Sequence, residues 1–165
     1  MWKDYLFEDF KLKAAAIFDL GELYKILFKW FEIYGYELWE KEYKEIDEQQ
    51  GKHVEIFWQA ERKIDAYIKF VIEINYLILG MQSIEIEKGG VKVKTKKSDT
   101  EFRISSYLLF DYDNKWSKTE FHRAIRSIYD KYLARARIDK LETEIVEETN
   151  NVVAEIKAFM NLHEF

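Results

Sequence analysis

From Tyr36 to Tyr112 apolar and polar residues alternate with a period of two, and short turn signals are the main interruptions. That period places successive side chains on opposite faces of a pleated strand, so the middle of this chain is read as antiparallel β-sheet. The divisions fall at turn residues, giving strands over 36–48, 53–64, 66–79, 83–88, 91–97 and 101–112. Gln49-Gln50-Gly51 closes the first hairpin, and Gly80 ends the most apolar strand. Lys88-Gly89-Gly90 supplies the positive φ of a tight hairpin, and Ser98-Asp99-Thr100 closes the next. Within 66–79 the residues Ala66, Ile68, Phe70, Ile72, Ile74, Tyr76 and Ile78 share one face, which is read as core, while the opposite face is only partly polar.

The flanks carry other periods. Phe10, Leu12, Ala14, Ala16 and Phe18 alternate as one further strand. Asp19, with Glu22 three residues on, marks a helix start, and Leu20, Leu23, Leu27, Trp30, Phe31 and Tyr34 recur at helical spacing up to Gly35. Ser117 and Glu120 repeat the same start signal, after which neither Gly nor Pro occurs. A single helix over 118–162 would be about 67 Å long, more than a domain of this size spans, so a break near 134–139 is expected. Beyond it a narrow stripe of Leu141, Ile145, Val152, Ile156 and Phe159 suits a packing seam, across the first helix or between subunits of a homodimer.

These elements describe one α+β domain over 1–165: an antiparallel sheet of about six to seven strands packed on one N-terminal helix and long C-terminal helices. Strand, helix, a run of strands and a closing helical region is an order that resembles the helix-grip, or START-like, superfamily. There a curved antiparallel sheet wraps a long terminal helix and often encloses an apolar cavity. The chain differs from that pattern in having one helix after its first strand. Asp4 to Trp39 and the ending Phe159-Met160-Asn161-Leu162-His163 are also similar to uncharacterised archaeal proteins, a resemblance that transfers no function.

Much chemistry is excluded by composition. The absence of Cys removes disulfides, thiolate metal sites and cysteine nucleophiles. No Gly-x-Gly-x-x-Gly, P-loop or Gly-x-Ser-x-Gly occurs, so the backbone cradles for phosphate or a serine nucleophile are missing. His53-Val54-Glu55 is half of a zinc-deaminase signature whose cysteines do not exist here. Asp111-x-Asp113-Asn114 opens like a calcium loop, but Trp116 stands where Gly is required and His122 where the bidentate Glu belongs. No metal site and no cofactor is therefore expected, and an enzyme would need an acid/base centre that no motif announces. No eighteen-residue apolar run and no secretory leader pattern is seen, so a cytoplasmic protein without membrane attachment is expected.

Charge and aromatic content supply the remaining candidates. The net charge is -5, yet 88–97 holds five Lys and no acid, 115–140 is basic, and 141–165 is acidic. Lys92, Lys94 and Lys96 share one strand face; alternating Lys protects a sheet edge from aggregation, or offers cations to phosphates. Together with Arg103, Arg123, Arg126, Arg135 and Arg137 they would form a surface for RNA if hairpin and helix meet in space. Aromatic residues make up 17% of the chain. Most belong in the core, and Trp58, Tyr67, Tyr76, Tyr107 and Trp116 are candidates to line a cavity between sheet and C-terminal helices. The leading expectation is a non-catalytic binding protein, holding an apolar small molecule or a protein partner there. An RNA- or ribosome-associated factor is the alternative.

Overall fold

Turn chemistry sets where the strands end, though not always where the alternation alone predicts. A computed structural model describes residues 1–114, 120, 123, 124, 127 and 135–161. In chain order it contains β1 (Trp2–Ile17), α1 (Leu20–Ile33), β2 (Glu37–Glu48), β3 (Gly51–Lys63), β4 (Ile68–Lys88), β5 (Val91–Phe110) and α2 (Arg135–Asn161). The strands form one five-stranded antiparallel sheet in the order β1-β5-β4-β3-β2. The β2–β3 and β4–β5 turns fall where Gly51 and Gly89-Gly90 place them, all three glycines having positive φ.

The sheet has five strands in place of six or seven, because two expected breaks are continuous strand. Gly80 does not end a strand. Its φ of 60° allows one extra residue into β4, and pairing resumes after the shift between Leu79 and Gln82. Ser98-Asp99-Thr100 is not a turn either: Ser98 pairs with Ala16, and Asp99 with both Ala15 and Leu79. The first strand begins at Trp2 rather than Phe10, with Asp9 at a φ of 50° inside an irregular stretch that re-aims the chain. Of the long C-terminal helices expected, the 27-residue α2 lies within the described residues, and the stretch before it lies mostly outside them. The helix start at Ser117 lies outside the described residues. Among the described residues no helix is long and apolar enough to cross a membrane.

Helix α1 starts where Asp19 accepts the Gly21 N–H at 2.8 Å, and its Leu23, Leu27, Trp30 and Phe31 are buried. Both helices share one core with the sheet, which supplies Val54, Ile56, Trp58, Phe70, Ile72, Ile74, Phe102 and Ile104 to it. The α2 stripe read as a packing seam is spent inside the chain: Ile145, Val152 and Ile156 are fully buried in the same cluster. Phe159 meets Phe18 edge to face at 5.9 Å. Thr149 donates to Ser106 Oγ at 2.9 Å, satisfying two polar groups buried where α2 crosses β5.

A charged clasp fixes α2 to the β3 side of the sheet. Arg62 donates to Glu144 at 2.8 Å, and to Glu148 and the Tyr34 carbonyl at 2.9 Å each. Tyr36 donates to the other oxygen of Glu148 at 2.5 Å, and the guanidinium lies 4.9 Å from the Tyr36 and Phe70 ring centres. Glu148 is buried, so removing its cation leaves an uncompensated charge. The Arg62→Met variant is expected to lose about 3 kcal/mol of unfolding free energy in urea titrations, whereas replacing the exposed Lys140 changes it by less than about 0.5 kcal/mol.

The two glycine turns are expected to respond differently. A Cβ on Gly51 would sit 2.7 Å from the Gly80 carbonyl carbon, because the β2–β3 turn rests on the irregularity in β4. Gly51→Ala is therefore expected to cost about 2–3 kcal/mol. Gly89 has open space around it, so Gly89→Ala pays only for its positive φ, about 1 kcal/mol. Equal losses in denaturant titrations would contradict this packing.

Candidate functional site

The helices cover one face of the sheet, and the opposite face is crossed by side chains in register. One row runs Glu42, Phe57, Asn75, Arg103, Lys11 across all five strands. The next holds Lys44, Glu55, Leu77, Glu101 and Lys13. Towards the start of β4 lie Val71, Tyr107 and Leu109, a small buried cluster separate from the main core. Tyr107 donates to Glu73 at 2.7 Å, Lys3 Nζ stands 4.2 Å from the Tyr107 ring centre, and Lys69 pairs with Glu61 at 2.8 Å. Arg103 donates through Nε to Glu101 at 2.5 Å, which holds the carboxyl below its ordinary value. A half-open cleft of roughly 410 Å³ lies over this region, with Asp9, Glu42, Glu55, Asn75 and Arg103 among its lining residues. This end of the uncovered face is thus polar, and its charges answer one another.

The far end differs. Residues 82–97 form a two-stranded ribbon in which no residue is buried. The register before the irregularity pairs Leu79 with Asp99, and after it Ile84 with Thr95, Glu85 with Lys94, Ile86 with Val93 and Glu87 with Lys92. A one-residue slip exchanges the faces of a strand. Without the extra residue, Ile84 and Ile86 would lie opposite Lys94 and Lys92. With it, charge meets charge on the helix side of the ribbon, and apolar meets apolar on the uncovered side. Val91, Val93 and Leu79 are 63%, 41% and 41% exposed there, which makes an apolar row on a projecting arm.

The sequence-derived candidates are dispersed by this arrangement. Trp58 and Tyr76 meet edge to face at 5.3 Å in the main core, and Tyr76 meets Phe102 at 5.3 Å. Tyr67 lies at another part of that core, against Phe110, and Tyr107 is on the other face of the sheet. These four therefore do not line one space. Trp116 lies outside the described residues. Lys92, Lys94 and Lys96 are exposed along the ribbon, but acids face two of them across the hairpin. Arg103 belongs to the polar face. Arg137 donates to Asp65 at 2.6 Å, beside the start of β4, with Arg135 exposed nearby in the chain. Asp65 and Glu87 are separated by almost the whole of β4, a path of about 60 Å or more, so the ribbon lysines and these arginines occupy opposite ends of the sheet. Arg123 is exposed, and Arg126 lies outside the described residues.

His53 pairs with Glu55 at 2.9 Å, two residues along the same strand face. Among the described residues no three His, Asp or Glu side chains converge as a metal site requires. The residues that sequence reasoning missed are Ile84 and Ile86, whose alternation with Glu85 and Glu87 was visible but whose face was set by the register. No family model, curated protein or solved structure matches the chain.

Buried phenols give this core a pH signature. Burial, followed by the Glu148 carboxylate, pushes Tyr36 far above its ordinary 10.0. Burial does the same to Tyr76, and to Tyr107 with help from its bond to Glu73. In each case the folded state holds a proton that the unfolded chain releases near pH 10, so this stabilisation is complete below pH 10 and is lost as pH rises above it. Among the described residues the Tyr76 hydroxyl has no hydrogen-bond partner. Tyr76→Phe is therefore expected to be neutral or to stabilise by up to about 1 kcal/mol at pH 7, and to flatten the fall of the urea midpoint above pH 10. A loss greater than about 1 kcal/mol at pH 7 would mean the hydroxyl is satisfied, and the core not filled as described.

Proposed function

We propose that the protein is a binding module for another protein, and that the contact surface is the uncovered side of the ribbon at residues 82–97 with the adjoining sheet face. The single observation behind this reading is the apolar row of Leu79, Ile84, Ile86, Val91 and Val93 on an arm that contributes nothing to the main core. An arm of this kind costs solubility and gains no packing, so its retention is explained by a contact that covers it. The reading places the partner surface away from the interval between sheet and C-terminal helix, where the interior side chains pack against one another. The helix-grip resemblance is kept as a proposal about fold ancestry: it is supported by β1 lying beside the last strand and by a terminal helix over the same face as α1.

The experiment uses a photo-crosslinking residue installed singly at Val93 or, as a control, at Lys140 on the exposed side of α2. In cells, discrete protein adducts are expected from Val93 and none from Lys140. The adducts are expected to vanish when 82–97 is replaced by a short turn joining Met81 to Ser98, while the thermal transition of that variant persists. Equal adducts from both positions, or none from Val93, would overturn the proposal.

A further inference from the structure

Among the described residues the ribbon also has two edges with no strand paired to them, and their charges differ. Strand β1 runs beside β5 only as far as Ile17, opposite Lys97, and Phe18 then donates its N–H to the Lys96 carbonyl at 2.9 Å. From there the chain turns into α1, and among the described residues no strand pairs in the lane beside residues 91–95. Because backbone groups of alternate residues point to alternate sides of a strand, the bond to Lys96 fixes the parity. The N–H and C=O groups of Lys92 and Lys94 point into the vacant lane, while those of Val93 and Thr95 serve the pairing with β4. Along this edge the side chains carry Lys92, Lys94 and Lys96 on one face and Val91, Val93 and Thr95 on the other.

We propose that this lane receives an extended segment of a partner protein, antiparallel to β5, with acidic residues at alternate positions and apolar residues between them. This rests on the protein-binding reading given above. The pattern is written in the molecule itself: on its other side β5 already pairs with Ile84-Glu85-Ile86-Glu87, Glu opposite Lys and Ile opposite Val or Thr. Strand addition of this type takes its affinity from backbone bonds and its selectivity from alternate side chains. A second copy of the chain fits badly. A two-fold pairing through β5 sets Lys opposite Lys, and one through β4 sets Glu opposite Glu. A head-to-tail pairing of β5 with the next chain's β4 would repeat every two strands, about 10 Å, whereas each body is five strands wide, about 24 Å. The bodies would overlap.

The test uses the intact protein and the peptide acetyl-SIEIEK-amide, which copies 83–88, with acetyl-SIKIKK-amide as its charge-reversed control. Amide hydrogen exchange is followed by NMR. Free protein is expected to show protected Val93 and Thr95 amides and fast-exchanging Lys92 and Lys94 amides. The acidic peptide should slow exchange at Lys92 and Lys94 at least 10-fold, and the basic peptide should leave them unchanged. The double variant K92Q/K94Q should bind the acidic peptide at least 10-fold more weakly; if it loses the ribbon, the two peptides on the unmodified protein still decide. Protection at Ser83, Glu85 and Glu87 instead, equal effects of the two peptides, or no protection would overturn the proposal. So would a dimer that already protects Lys92 and Lys94 without peptide. Crosslinks from Val93 without peptide protection sink this proposal alone; absent crosslinks sink the binding reading.

Discussion

One unpaired residue in β4 organises the molecule. The backbone around Gly80 accommodates it at positive φ, and from that point the face of every later residue in the strand is exchanged. Strand β5 needs no such device, because its own sequence changes character: Phe102, Thr100 and Ser98 face the helices, and Lys96, Lys94 and Lys92 continue that line. The irregularity brings β4 into step with it. A register without the shift would set two isoleucines against lysines and two glutamates against Val93 and Val91, losing cross-strand matches each worth several tenths of a kcal/mol. The close approach of Gly51 to Gly80 and the bond from Gln82 to the Gln50 carbonyl at 2.8 Å tie the neighbouring turn to the same spot.

The remainder of the sheet is built to close one face and leave the other open. Helices α1 and α2 both spend their apolar stripes on the same side, so aromatic residues that would line an internal cavity pack on one another instead. Tyr24 sits edge to face on Trp58 at 4.4 Å and donates to the exposed Glu40 at 3.0 Å, so its ring closes over this cluster while its hydroxyl stays at the surface. The Arg62 clasp adds specificity to that closure more than net stability. A buried glutamate and a half-exposed one facing one guanidinium make an arrangement that is costly to assemble and costlier to break at Glu148, and it selects one placement of α2 along β3.

Much of this was legible in the sequence, and the failures have a common cause. Helix α1, its Asp19 cap, the turns at Gly51 and Gly89-Gly90 and the core face of Ile68 to Ile78 all depend on local patterns, and local patterns were enough. Gly80 and Ser98-Asp99-Thr100 carry turn composition but not turn geometry, since a glycine inside a strand also serves an irregularity, and small polar residues pair well beside Ala15 and Ala16. The early part of β1 was missed because Asp9 breaks its alternation. The dispersal of the candidate residues is non-local: whether Lys94 faces solvent alone or opposite Glu85 is decided by pairing across a hairpin, which no window along one strand contains.

An isolated two-stranded ribbon is marginal in water, and three strands are the usual minimum for a sheet that stands alone. Among the described residues the arm at 82–97 has no third strand beside it and no buried residue, so it belongs to the less stable end of the molecule. That changes what its lysines do. Against another copy they repel, which keeps a bare edge from propagating. Against an acidic strand the same charges attract at about the Debye length, before any backbone bond forms, and the incoming strand supplies the third member that the ribbon lacks. Ordering and recognition then share one step. The edge is kept from aggregating by the very row of charges that would select what is allowed to pair with it.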